Sequence, residues 1–152
     1  MSLAQTHSVA LLGLDGHLVS VEVDIANGLP MYALLGLPDA ALSESRDRVR
    51  AAMVNCGEIW PNRKVTVSLS PAWLPKSGSS FDLAIAIALL SAHETIAPDR
   101  IHDLVFLGEL SLDGRVRSVR GVLPALMAAA RGSNGANPCA IRSAFTKLGQ
   151  FT

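Results

Sequence analysis

The sequence predicts an α/β fold, a two-layer sandwich of mixed β-sheet and helices, and three observations carry that expectation. Strand-patterned segments cluster at the start of the chain before any helix. Helical and strand patterns then interleave, and one helix-length run, Leu83 to Leu90, is apolar throughout. Clustered strands followed by interleaved elements indicate a mixed sheet covered by helices, not a doubly wound parallel sheet. A helix with no polar face has to be buried.

Ser8 to Leu14 and Leu18 to Ile25 are β-rich runs separated by Asp15-Gly16. A DG pair between apolar runs predicts a hairpin, because glycine tolerates the positive φ that a tight turn demands. Asn27-Gly28-Leu29-Pro30 is a turn cluster, and Met31 to Leu35 resumes as a third strand. From Asp39 to about Cys56 the apolar residues Leu42, Val49, Ala52 and Met53 recur at helical spacing, with Gly57 placed to end the helix. The polar face of that helix carries Arg46, Arg48 and Arg50 beside Glu44 and Asp47. Such a face is either solvated, with ion pairs along the helix, or a charged surface for a partner.

Lys64 to Ser70 alternates with the period of a strand, Pro71 to Gly78 reads as a loop, and a buried helix is expected from about Ser79 to His93. Leu104 to Leu112 and Arg115 to Val119 flank Asp113-Gly114, which repeats the hairpin signal, and a last helix runs from about Val122 to Arg131. The expected order is βββ-α-β-α-ββ-α. Residues 1–131 form one domain in this reading. Residues 132–152 form an atypical tail that opens with Gly132-Ser133-Asn134-Gly135-Ala136-Asn137-Pro138 and carries only a weak pattern.

A length of 152 residues suits a single core, and 49% hydrophobic residues with a formal net charge of zero describe a globular chain. The neutral balance gives no bulk basic excess for nucleic acid, so any DNA contact has to come from a local patch. Cys56 and Cys139 lack the spacing of a zinc site or redox pair, which suggests inert thiols in a reducing cytoplasm. His7, His17, His93 and His102 show no metal-ligand spacing. Neither GxGxxG nor a phosphate loop is present, so no cofactor or metal is expected in this chain. Leu83 to Leu90 falls far short of the ~20 residues that span a bilayer, and no membrane partner is expected.

Three stretches, Gly36 to Ala52, Leu74 to Ala86 and Gly108 to Arg117, together with Val119 to Pro124, resemble the ComM/YifB family of Mg-chelatase-like AAA+ ATPases. The resemblance implies an N-terminal domain with the topology of the Lon protease catalytic domain. It also implies a following AAA+ module in which ATP and Mg would bind, absent from these residues. Expected partners are that AAA+ module and further copies of the chain, as hexamers in the full-length family, with DNA as a third in recombination and transformation.

A Lon-type peptidase uses a serine activated by a lysine base whose pKa burial has lowered. The resemblance puts Ser80 at the nucleophile position and Ala125 at the lysine position. A methyl group accepts no proton, and general-base help is worth ~10²- to 10⁴-fold. The leading reading is therefore a noncatalytic accessory domain with no catalytic residue, Ser80 serving as a helix N-cap or first-turn hydroxyl. The alternative is a residual Ser-Lys peptidase drawing on Lys76, expected to be an exposed loop lysine. A metal-chelation role rests on the family name alone. If DNA is touched, Arg46, Arg50, Lys76, Arg115, Arg117 and Arg120 are the candidate phosphate contacts.

Overall fold

A computed structural model describes residues 2–132 and 140–141. Strands β1 (Ser2–Leu12) and β2 (Asp15–Ala26) pair antiparallel along their whole length, from Ser2 opposite Ile25 to Leu12 opposite Asp15. This register leaves Gly13-Leu14 as the two-residue turn, with Gly13 at φ 64°. The expected Asp15-Gly16 turn is thus corrected: both residues belong to β2. Gly16 is needed for packing instead, since a Cβ there would lie 2.5 Å from the Ala128 Cβ.

β3 (Met31–Leu35) runs parallel to β4 (Lys64–Ser70), and β4 pairs antiparallel with β2. β5 (Leu104–Val105) joins the other side of β1, and β8 (Ala140–Ile141) pairs parallel with β5. The sheet order is β3-β4-β2-β1-β5-β8, with β6 (Glu109–Leu110) and β7 (Val116–Arg117) as a separate antiparallel ribbon. Mixed pairing on a sheet covered by helices is the α/β sandwich that the sequence predicts. Of the tail, Gly132 ends the last helix and 140–141 extend the sheet; the rest of the 132–152 segment, Cys139 included, lies outside the described residues.

The expected helix from Asp39 to Cys56 is broken at Glu44 into α1 (Ala40–Ser43) and α2 (Ser45–Asn55), and the Asp39 side chain caps α1 by accepting from the Leu42 amide. Helix α3 (Asp82–Ala92) is buried at all its residues, as its apolar sequence requires. It begins three residues later than expected, with Phe81 as N-cap, so Ser80 is neither cap nor first-turn residue. Around Asp113-Gly114, the strand expected from Leu104 to Leu112 is split into β5 of the main sheet and the two-residue β6, and the one expected from Arg115 to Val119 shrinks to the two-residue β7. The turn itself is present, closed by Gly114 N–H to Ser111 O at 2.9 Å, with Gly114 at φ 86°.

Alternate residues of β1 enter different apolar clusters, which shows that both faces of the sheet are used at this end. Ala4 and Ala10 join the main core with α2 and α3, and the Thr6 hydroxyl bonds Ala84 O on the same side. Val9 packs instead with Ala125, Ala128 and Ala129 of α4 (Val122–Gly132). Small residues on that face of α4, with Gly16 opposite, let the helix lie close against the hairpin.

The start of α3 is held by one buried ion pair. Arg48 Nε and Nη2 reach the Asp82 carboxylate at 2.7 and 3.0 Å, with Asp82 wholly buried and the Arg48 side chain 18% exposed. Arg48 also donates to Ala41 O, and Asp82 accepts from the Leu110 amide. Burial pushes the Asp82 carboxyl up from its ordinary pKa, while Arg48 and the Leu110 N–H oppose that shift. Removing one partner of such a pair strands the other in the core at a cost of about 3–5 kcal/mol. Arg48→Ala is therefore expected to lower unfolding free energy in urea by that amount. The double variant R48M/D82L is expected to recover most of it, and a loss below ~1 kcal/mol would show that the pair does not hold the core.

Candidate functional site

A cleft of about 440 Å³ opens where the loop before α3 meets the end of β1 and the start of α4. Ser77, Gly78, Ser79 and Ser80 form one wall, while Val9, Leu11, Phe81, Leu107 and Val119 supply apolar lining. Glu109, Ser118, Arg120 and Ala125 complete it. Where the serine loop runs into α3 it is tied to Gly108 by two backbone bonds: Gly108 N–H donates to Ser80 O, and Leu83 N–H donates to Gly108 O, each at 3.1 Å. The Asp39 carboxylate accepts from Gly78 N–H at 3.2 Å, so the residue that caps α1 also ties down this loop.

Ser80 and Ala125, which sequence comparison alone placed together, line the same cleft. Ala125 is buried and presents only a methyl group. The carboxylate of the cleft, Glu109, is engaged by the Ser79 hydroxyl. Sequence reasoning missed Ser79 and Glu109 because the hydroxyl and the carboxylate are far apart in the chain. The stretch from Gly108 to Arg117 carried Glu109 only as part of a resemblance, without a role.

Lys76 is the clearest departure from expectation. It is 1% exposed, not a solvated loop lysine, and its ammonium donates to Gly36 O at 2.8 Å and to Pro71 O. Its backbone N–H donates to Leu37 O and its carbonyl accepts from Asp39 N–H, which joins the loop after β3 to the loop after β4. Gly36 is required there: at φ 111° a Cβ would stand 2.2 Å from Leu69 O. Burial lowers the Lys76 pKa. Lys76 is not among the cleft-lining residues, and its ammonium is held by two carbonyls. It is thus placed neither to serve Ser80 as a base nor to reach a phosphate.

The remaining candidate cations are exposed. Arg46 and Arg50 lie on α2, whereas Arg115 and Arg117 flank and form β7. Arg115 faces Asp113 at 3.4 Å, and Arg117 donates to the Ser111 hydroxyl. Arg120 lines the cleft and has no ion-pair partner among the described residues. A shallower concavity of about 450 Å³ brings Arg117 beside Arg48, Asp113 and Glu109. Glu109 therefore lines both hollows. Among the described residues no group of three or more His, Cys, Asp or Glu is placed to hold a metal ion, and no helix is long and apolar enough to cross a membrane. Cys56 is a free, half-buried thiol.

Residues 21–136 match the sequence profile of the family described as subunit ChlI of Mg-chelatase. The chain belongs to this Mg-chelatase ChlI family. An uncharacterised protein of Mycobacterium tuberculosis is 59% identical over 131 residues, covering 86% of this chain and 26% of the relative. The competence protein ComM of Haemophilus influenzae is 43% identical over 129 residues, covering 85% of this chain and 25% of its own length. A Lon protease of Finegoldia magna is 27% identical over 134 residues, 82% of this chain and 17% of that protein. The chain thus spans about a quarter of the ChlI-type relatives. Similarity to ComM and to Lon protease together agrees with the resemblance read from the three sequence stretches.

An amine buried against two carbonyls is shielded from reagents as well as from water. In the folded chain Lys76 is expected to resist acetic anhydride under conditions in which exposed Lys64 is acetylated, read by peptide mass spectrometry. Equal modification of the two lysines would contradict the buried position.

Proposed function

We propose that this chain is a noncatalytic accessory domain of a ChlI-type protein, in which a Lon-like cleft is retained without its chemistry. The observation that carries the reading is the meeting of Ser80 and Ala125 in one cleft. Ser80 shares that cleft with a methyl group at the position where the resemblance puts a peptidase's base, and the nearby lysine in sequence, Lys76, is committed to backbone carbonyls. Ser80 without a base keeps an ordinary alcohol's reactivity. The expected partners are an AAA+ module of the same protein, which would carry ATP and Mg, and further copies in a cytoplasmic ring. The purified chain is expected to leave casein and an acyl-peptide reporter intact. Turnover abolished by Ser80→Ala would sink the noncatalytic reading.

DNA engagement is the second part of the proposal, favoured by the exposure of Arg115, Arg117 and Arg120 within six residues of chain, with Arg120 beside the cleft and without an ion-pair partner among the described residues. Arg46 and Arg50 on α2 could extend such a surface. The neighbouring Asp113 and Glu109 weaken it, so the affinity is expected to be modest and strongly salt-dependent. Each lost phosphate contact removes about 0.9 from the slope of log affinity against log salt on duplex DNA. In fluorescence anisotropy with single- and double-stranded DNA, changing Arg115, Arg117 and Arg120 together to Ala is expected to weaken binding and flatten that slope by about 2–3. A folded chain that binds neither DNA at low salt removes this part of the proposal and leaves assembly as the domain's role.

A further inference from the structure

Strand β3 is the outer edge of the sheet, and its chemistry invites another strand. Among the described residues it pairs only with β4, in parallel register from Met31 opposite Lys64 to Leu35 opposite Ser68. Met31 N–H donates to Arg63 O. Main-chain groups alternate in direction along a strand, so Met31, Ala33 and Leu35 turn their N–H and C=O toward β4, whereas Tyr32 and Leu34 turn theirs toward the open edge. Natural proteins blunt such edges with charges, prolines within the strand or bulges. Here the eleven residues from Gly28 to Pro38 carry no charge, and the five residues of β3 contain no proline.

The side chains divide by the same alternation. Tyr32 and Leu34 pack against the main core, and Met31 and Leu35 are left 54% and 52% exposed on the opposite side. An antiparallel neighbour has to exchange both hydrogen bonds with the outward-facing residues. If that neighbour is a second β3 related by a twofold axis, Tyr32 pairs with Leu34 of the other copy, and Ala33 faces its own counterpart on the axis. The same register sets Met31 opposite Leu35 twice, so each exposed apolar residue meets the other across the pair, a contact that stabilises antiparallel strands. Neither a charge nor a polar side chain of β3 opposes this closure.

We propose that β3 is a self-association edge, at which two copies of this chain pair antiparallel about Ala33 to form one continuous sheet. The occupant is a second copy and not an unrelated extended peptide. One register satisfies both the outward main-chain groups and the exposed Met31 and Leu35, and this segment supplies both sides of it. Such a contact is isologous and closes as a dimer. It is independent of the cleft and of any ring built through other surfaces.

The test uses the whole chain, with Cys56 and Cys139 changed to Ser in the crosslinking arm. A non-hydrogen-bonded antiparallel pair brings Cα atoms to about 4.5 Å, within disulfide reach. Ala33→Cys is expected to form a disulfide-linked dimer on mild oxidation. By sedimentation velocity the wild-type chain is expected to shift from monomer to dimer with rising concentration. M31K/L35K, which places like charges across the axis, is expected to weaken that dimer at least tenfold with an unchanged circular dichroism spectrum. L123K/M127K, on the exposed apolar side of α4, is expected to leave it intact. A wild-type chain that stays monomeric at the highest concentration, or association abolished by L123K/M127K and untouched by M31K/L35K, would overturn the proposal.

Discussion

The contact between Arg48 and Asp82 lies at the point where most of the fold converges. Helix α3 is surrounded by protein along its whole length, yet it opens with a carboxylate that has no access to water. A buried carboxylate is tolerable only when hydrogen-bonded and paired. Arg48 supplies the pairing from α2, the Leu110 amide supplies a third donor from β6, and the same guanidinium reaches back to Ala41 O in α1. Three elements, α1, α2 and β6, are thereby fixed around the first turn of α3. The serine loop that walls the cleft leads directly into that turn, so the geometry of the cleft depends on this pair even though neither charged group belongs to the Ser80 wall.

Helix α4 closes the cleft from the other side, and what it brings there is volume control rather than chemistry. Ala125, Ala128 and Ala129 all pack in the smaller apolar cluster with Val9, Val105 and Leu107, and Gly16 removes a Cβ that would strike Ala128. Ala125 belongs both to this packed cluster and to the lining of the cleft. Larger apolar side chains of α4, Leu123, Leu126 and Met127, face away from the sheet.

Lys76 shows how local sequence misleads when a loop is folded inward. Its neighbours, Pro75 and Ser77, are exposed, and nothing in composition separates it from a solvated lysine. The loop after β3 offers Gly36 O, the loop after β4 offers Pro71 O, and the ammonium bonds both. The same convergence explains why Gly36 and Asp39 lie in the stretch that resembles the family: one permits close backbone approach to Leu69, and the other caps α1 while holding Gly78.

The sequence by itself determined the class of fold, because hydrophobic period is a local property: β3, β4, the buried α3 and the last helix stand close to where their patterns put them, while β1 begins at Ser2, six residues before its apolar pattern, and β2 at Asp15, three before its own. It supplied also the residue identities at Ser80 and Ala125, on which the proposed loss of a Lon-type dyad rests. Tertiary structure decided what depends on residues far apart in the chain. It moved the first turn to Gly13-Leu14 through strand register, broke the first helical pattern at Glu44, and shortened β6 and β7. It drew Arg48 out of a solvated face into the core and buried Lys76. Arg46 and Arg50 stayed at the surface, Arg115 met Asp113, and Glu109 met Ser79. These outcomes are set by pairing and burial free energies between distant segments, which no window along the sequence contains.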